Sequence, residues 1–208
     1  MILAIEGIDG AGKNTLVRAL AKHAPQKVHT LQFPRYEESV HAQLAQAALY
    51  GKMGDLTDSI NGMATLFALD RYGAKEQLEA FVDCAEILIL DRYIASNAAY
   101  SAARAGEKAL FDWVYELEVV QLGLPVPDLQ ILLHTPHELA RQRAQQREAQ
   151  DDSRTRDRYE RDSQLQQDTA TNYEELARRS WLSPWEIVAP DADPEAVAAD
   201  IFTVLHEV

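Results

Sequence analysis

Apolar positions in this chain follow two periods. Five short runs are almost uninterrupted, at residues 1–6, 28–33, 86–90, 129–134 and 185–189. Runs of this length and composition suit strands covered on both faces, as in a parallel sheet. Between them, hydrophobics recur every three to four residues. That spacing predicts a helix over 13–23, one long helix over 57–82, another from Ser96 past Ala103, and one over about 108–122. Thr57 and Asp58 are candidate N-caps for the long helix, and Ile60, Met63, Ala64 and Phe67 form its stripe. Pro125 and Pro127 reset the chain before the fourth strand, and Pro136 starts the helix that follows it. Strands alternating with helices predict an α/β fold, a parallel sheet with helices on both sides. Residues 145–153 are polar and charge-dense, with no large apolar side chain, and read as a mobile surface flap between two helical patterns.

Composition narrows the class. With 208 residues, 47% hydrophobic and 25% charged, the chain is expected to form one domain over 1–208. A net charge of −13 argues against a duplex nucleic-acid binder, which needs a basic face. The single cysteine, Cys84, precedes an apolar run and reads as a small core residue. No leader and no membrane-length apolar stretch is read in the sequence, so a cytoplasmic protein with no membrane partner is expected.

The residues that change the picture begin at Gly7-Ile8-Asp9-Gly10-Ala11-Gly12-Lys13, a Gly-x-x-x-x-Gly-Lys loop between a strand and a helix. Such a loop turns backbone N–H groups onto a phosphate, and Lys13 reaches the transferring oxygens. The usual Ser or Thr after the lysine is replaced by Asn14, with Thr15 next. The standard magnesium ligand is therefore weakened, and attention moves to other acids. Asp9, inside the loop, reads as a metal ligand or an arginine partner; the rival reading is a turn-forming residue. Asp91-Arg92-Tyr93 ends the third strand, where α/β sheets place their ligands. Arg92 is placed to clamp a phosphate, with a structural ion pair as the rival.

Further along, Asn97, Tyr100 and Arg104 share one helix face behind Ser96, and Phe67 lies one turn before Arg71. Amide, phenol, ring and guanidinium together suit a nucleobase and sugar, although a solvated face or a core phenylalanine would look similar. Phe33-Pro34-Arg35-Tyr36 leaves the second strand on the same side. Seven of the 14 arginines, Arg141 to Arg161, fall within 21 residues that hold no lysine. Arginines on a closing segment suit transition-state charge in phosphoryl transfer; a surface ion-pair network is the alternative. Asp157 and Glu160 follow as candidates for a sugar hydroxyl and a metal.

Taken together, these stretches resemble the thymidylate kinase family, and its actinobacterial branch in detail. The resemblance rests on Glu6 to Lys13, Phe33 to Tyr36, Thr65 to Arg71, Leu90 to Ser101 and Tyr159 to Asp162. It implies a P-loop NTPase fold: a three-layer sandwich around a five-stranded parallel sheet, with a small arginine-rich lid at about 143–156. It implies transfer of the ATP γ-phosphoryl group to dTMP. Gly7, Asp9, Gly10, Ala11, Gly12, Lys13, Asn14, Thr15 and Arg143 would hold ATP. Phe33, Arg35, Tyr36, Phe67, Arg71, Arg92, Ser96, Asn97, Tyr100, Asp157 and Asp9 would hold dTMP. Phe67 would stack on thymine and Arg71 and Asn97 would bond its edge. Asp9 and Glu160 would bind Mg2+. Lys13, Asp9, Arg92 and the lid arginines Arg147 and Arg154 would carry catalysis. A homodimer is also implied. The rival functions are a deoxynucleoside kinase and a nucleotide-driven regulatory ATPase.

Overall fold

The computed structural model describes residues 1–150 and 156–206. The five expected strands are all present: β1 (Ile2–Glu6), β2 (Val28–Gln32), β3 (Ile87–Asp91), β4 (Leu129–Leu133) and β5 (Trp185–Val188). They form one sheet in the order β2-β3-β1-β4-β5, and every pair is parallel. β1 lies at the centre with Ile2, Leu3, Ala4 and Ile5 all buried, as a strand covered on both faces must be. β2 and β5 are the edges and are only partly buried, so their sequences carry more polar residues.

The helices among the described residues are α1 (Lys13–His23), α2 (Val40–Leu49), α3 (Ile60–Tyr72), α4 (Lys75–Glu79), α5 (Ile94–Ala105), α6 (Ala109–Tyr115), α7 (His137–Gln150), α8 (Arg158–Arg161), α9 (Ser163–Arg178) and α10 (Pro194–His206). α1 packs against α10, while α5 packs against α6 and α9 and also meets α3.

Three expected elements are corrected. The long helix over 57–82 is broken. Thr57 and Asp58 belong to a 3-10 turn (Leu56–Asp58), and the cap is Ser59, whose Oγ accepts from the Gly62 N–H at 3.1 Å. α3 then stops at Gly73, and α4 follows. The reason is that one straight stripe cannot serve two cores. Met63 and Phe67 pack into a small cluster with Ala45, Ala48, Leu49, Tyr159 and Leu165, whereas Ala74, Leu78 and Phe81 join the main core around the sheet. The helix expected over 108–122 is α-helical only to Tyr115 and continues as a π-helical segment, Glu116–Gln121. The flap expected over 145–153 is helical through Gln150, the last described residue of α7; its remaining residues lie outside those described.

Candidate active site

Gly7 to Gly12 link the buried end of β1 to the first turn of α1. Gly7, Gly10 and Gly12 take φ of 143°, 88° and 104°, a region that disfavours side chains. Gly10 is the tightest: a Cβ there would lie 2.0 Å from the Ala140 carbonyl oxygen of α7. Only glycine lets the loop pass under α7. Lys13 turns back into this loop, and its buried Nζ donates to the Gly7 and Ile8 carbonyls at 3.2 and 3.1 Å. Burial, helped by the neighbouring Arg92 charge, brings its ammonium down to about 8. Asn14 and Thr15 are exposed at the start of α1. Arg143 of α7 reaches the same loop, donating to the Ala11 carbonyl at 3.4 Å.

Arg92 sits one residue past β3 with φ of 68°, a left-handed conformation that costs a non-glycine residue roughly 1 kcal/mol. That turn aims its guanidinium across the loop. Nη2 donates to Asp9 Oδ1 at 2.5 Å, and Nη1 donates to Ser96 Oγ and Tyr173 Oη, each at 3.3 Å. The Asp9 carboxylate also accepts from Tyr100 Oη at 2.8 Å and from Gln166 Nε2 at 3.4 Å. Burial alone would raise Asp9, but the Arg92 and Lys13 charges override it and hold the carboxyl at about 2. Beneath this pair lies Glu6, fully buried at the end of β1. It accepts from the Tyr93 N–H at 2.8 Å, Ser96 Oγ at 2.6 Å and Tyr173 Oη at 3.0 Å. Burial pushes its carboxyl up. The result is one cation presented from a fully bonded platform beside a phosphate-binding loop.

Three carboxylates share the other side. Asp157 caps α8 in a capping box with Glu160: its Oδ1 accepts from the Tyr159 and Glu160 N–H groups at 2.8 and 3.0 Å. Burial and the negative charges of Asp9 and Asp157 push Glu160 up to about 7, and burial raises Asp157 as well. Burial, with Asp157 and Asp9 nearby, also pushes the Tyr36 phenol up, so it remains a hydrogen-bond donor at neutral pH. Phe67 is half-buried on α3, and Arg71 is buried with Asn97 around Glu118.

The thymidylate kinase family model matches residues 5–201. The chain belongs to the thymidylate kinase family. It is 49% identical over 207 residues to thymidylate kinases of two strains of Mycobacterium tuberculosis, with 97% of each chain covered. It is 30% identical to a probable thymidylate kinase of Pyrobaculum aerophilum, covering 99% of this chain and 96% of that one. In fold it resembles the solved thymidylate kinase of Candida albicans, with a TM-score of 0.75 at 22% identity over 99% of this chain and 91% of that one. The expected α/β fold and the expected family both hold.

Two side chains of the expected site are held by contacts that the sequence reading did not foresee. Arg35 is bonded to Asp70: its Nε donates to Asp70 Oδ1 at 3.0 Å, its Nη2 to the Asp70 carbonyl at 2.5 Å, and its own N–H to Asp70 Oδ2 at 2.9 Å. It ties the exit of β2 to α3. Arg104 donates to the Thr57 carbonyl and lies over the Tyr159 ring at 5.0 Å, so it joins neighbouring elements. The arginine-rich segment divides. Arg141, Arg156 and Arg158 are in ion pairs with Glu138, Glu148 and Asp58, the network that was the alternative reading. Arg143 faces the loop. Arg154 and the Arg147 side chain lie outside the described residues.

Sequence reasoning missed Glu118, Gln166 and Tyr173. Each carried a signal. Glu118 interrupts the apolar spacing of Phe111 and Val114, and Gln166 and Tyr173 sit on the buried stripe of α9 with Leu165, Thr169 and Leu176. A polar residue on a core stripe demands a partner.

Proposed function

We propose that the protein transfers the γ-phosphoryl group of ATP to dTMP, giving dTDP on the route to dTTP. The observation that carries this reading is the Asp9–Arg92 pair. It sets a phosphate-clamping guanidinium directly against a phosphate-cradling loop in a chain of the thymidylate kinase family. The two anions are brought together by Lys13 and the loop N–H groups on the donor side and by Arg92 and Tyr36 on the acceptor side. Neutralising their repulsion and aligning them is the main catalytic task, since the acceptor phosphate is already a nucleophile. At neutral pH Lys13 remains protonated, as the task requires. Phe67 stacks on the base, Tyr100 lies beside the sugar and Asp157 bonds its hydroxyl. Arg147 and Arg154, in a lid at about 143–156 of one domain, add charge at the transferring group.

The acidic side chains of the site fit a Mg2+ ion. Burial first, and then the negative charges of Asp9 and Asp157, raise Glu160 to about 7, and a cation would relieve the repulsive part. Among the described residues no three acidic or histidine side chains converge into an all-protein cage. Mg2+ ordinarily takes one or two carboxylates, phosphate oxygens and waters, so Asp9 and Glu160 would hold it. When bound, it would neutralise phosphate charge.

Two copies associate, in this reading, as the family resemblance implies. Exposed Val40 and Leu44 of α2, Tyr72 of α3 and Tyr115 of α6 are apolar side chains available to an interface. No helix among the described residues is long and apolar enough to cross a membrane. The cytoplasm, with its ATP, is the proposed compartment.

A deoxynucleoside kinase, the rival reading, would need a base near the 5′-hydroxyl at the exit of β2, where Arg35 stands. With Arg35 committed to Asp70, the preference for an anionic acceptor rests on Arg92 instead. A panel of dTMP, dUMP, thymidine and water as acceptors tests the reading. Turnover should be highest with dTMP; faster turnover with thymidine, or ATP hydrolysis indifferent to dTMP, would overturn it.

A further inference from the structure

Glu118 is a fully buried acid that no step above uses. It lies on the π-helical segment after α6, an irregularity often found at functional sites. Its Oε2 accepts from Arg71 Nε at 2.5 Å. Its Oε1 accepts from Arg71 Nη2 and from Asn97 Nδ2, each at 2.7 Å. Asn97 Nδ2 also donates to the Ala64 carbonyl at 3.0 Å. Both amide hydrogens of Asn97 therefore face oxygens that carry no hydrogen. A flipped amide would set Oδ1 against those same two oxygens, so the chemistry of the neighbours decides the orientation. What Asn97 retains is Oδ1, an acceptor that carries a long contact from Ser101 Oγ at 3.4 Å. What Arg71 retains outside this network is Nη1, a donor.

We propose that Glu118 is a positioning residue that sets nucleobase selection, by fixing an acceptor at Asn97 and a donor at Arg71. This rests on the proposed function, in which those two side chains meet the base edge. An acceptor beside a donor complements the N3–H and C4 carbonyl of thymine or uracil. Cytosine presents the reverse, a bare N3 and a C4 amino group, so donor would face donor and acceptor would face acceptor. Buried polar groups left unpaired are what make such rejection large. Glu118 also balances the buried Arg71 charge, so simple deletion would confound selection with stability.

The experiment compares the wild-type protein with Glu118→Gln, which keeps shape, and Glu118→Asp, which keeps charge but withdraws the carboxylate by one methylene. kcat and KM are measured for dTMP and dCMP at saturating ATP, with Asn97→Ala as the control for the base site. In both Glu118 variants the dTMP-over-dCMP ratio of kcat/KM should fall by at least about tenfold. The loss should appear mainly in the KM for dTMP, with kcat within about threefold. An equal loss on both nucleotides, or none, makes Glu118 merely structural and overturns the inference. If the Gln variant does not fold, the Asp variant decides. If Asn97→Ala leaves the KM for dTMP unchanged, or the wild type does not discriminate, the base-site reading fails separately.

Discussion

Lys13 is a buried cation held by two carbonyls of its own loop, at 3.2 and 3.1 Å. Because burial lowers its ammonium to about 8, the folded state holds that charge at a cost. Lys13→Ala should therefore leave the melting temperature nearly unchanged while lowering kcat by about 10²–10³-fold, the scale of losing one transition-state cation or donor. A coupled ATP/dTMP assay beside a thermal melt checks both halves. Glu160 gives the pH counterpart. Its folded carboxyl stands near 7, above the ordinary 4.5, so the folded state binds the extra proton between those values. Its contribution to stability is thus present at low pH and lost as pH rises towards 7. In ligand-free protein, Glu160→Gln should gain in melting temperature relative to wild type between about pH 5 and pH 8; a constant difference would contradict the assignment. At this scale Asp9 and Arg92 were legible because each lies in a short motif. Glu118 and Tyr173 were not, because their partners lie 47 and 81 residues away in Arg71 and Arg92.

Elements were legible where one period served one core. β1 and β3 are short apolar runs and appear within a residue or two of their expected bounds. The stretch over 57–82 failed because its two halves face different clusters, and α3 ends at Gly73 before α4 begins. What no period could show is how the loop before α1 meets α7. Gly10 lies so close to Ala140 that a single methyl group cannot enter, and its φ of 88° disfavours any side chain. Gly10→Ala should therefore cost about 2–4 kcal/mol, combining backbone strain with overpacking. α7 must move away from the loop to relieve the clash. The same shift would draw Arg143 from the Ala11 carbonyl and raise the KM for ATP. Denaturant unfolding and steady-state kinetics report the two effects, and unchanged stability would show that α7 yields freely.

The whole molecule has an uneven core. The main cluster wraps a sheet whose central strands are buried, while the smaller one joins α2, α3, α8 and α9 chiefly through Ala45, Ala48, Leu49, Met63, Tyr159 and Leu165. The smaller cluster holds far fewer buried apolar side chains than the main one, so this second layer should open more readily than the sheet. Yet Phe67 and Tyr100, both proposed to meet the nucleotide, pack against this cluster, and Tyr100 also packs against the main core. Acceptor binding should therefore act as the missing packing of the second layer. At dTMP near 100 times its Kd, global stability should rise by about 2.7 kcal/mol. Amide exchange should slow most in α2, α3 and α8, and least in β1 and β3. Hydrogen exchange with and without dTMP resolves this. Equal slowing in the sheet and in the α2–α3 layer would mean that the two clusters open as one unit, and that the nucleotide does not complete the smaller one.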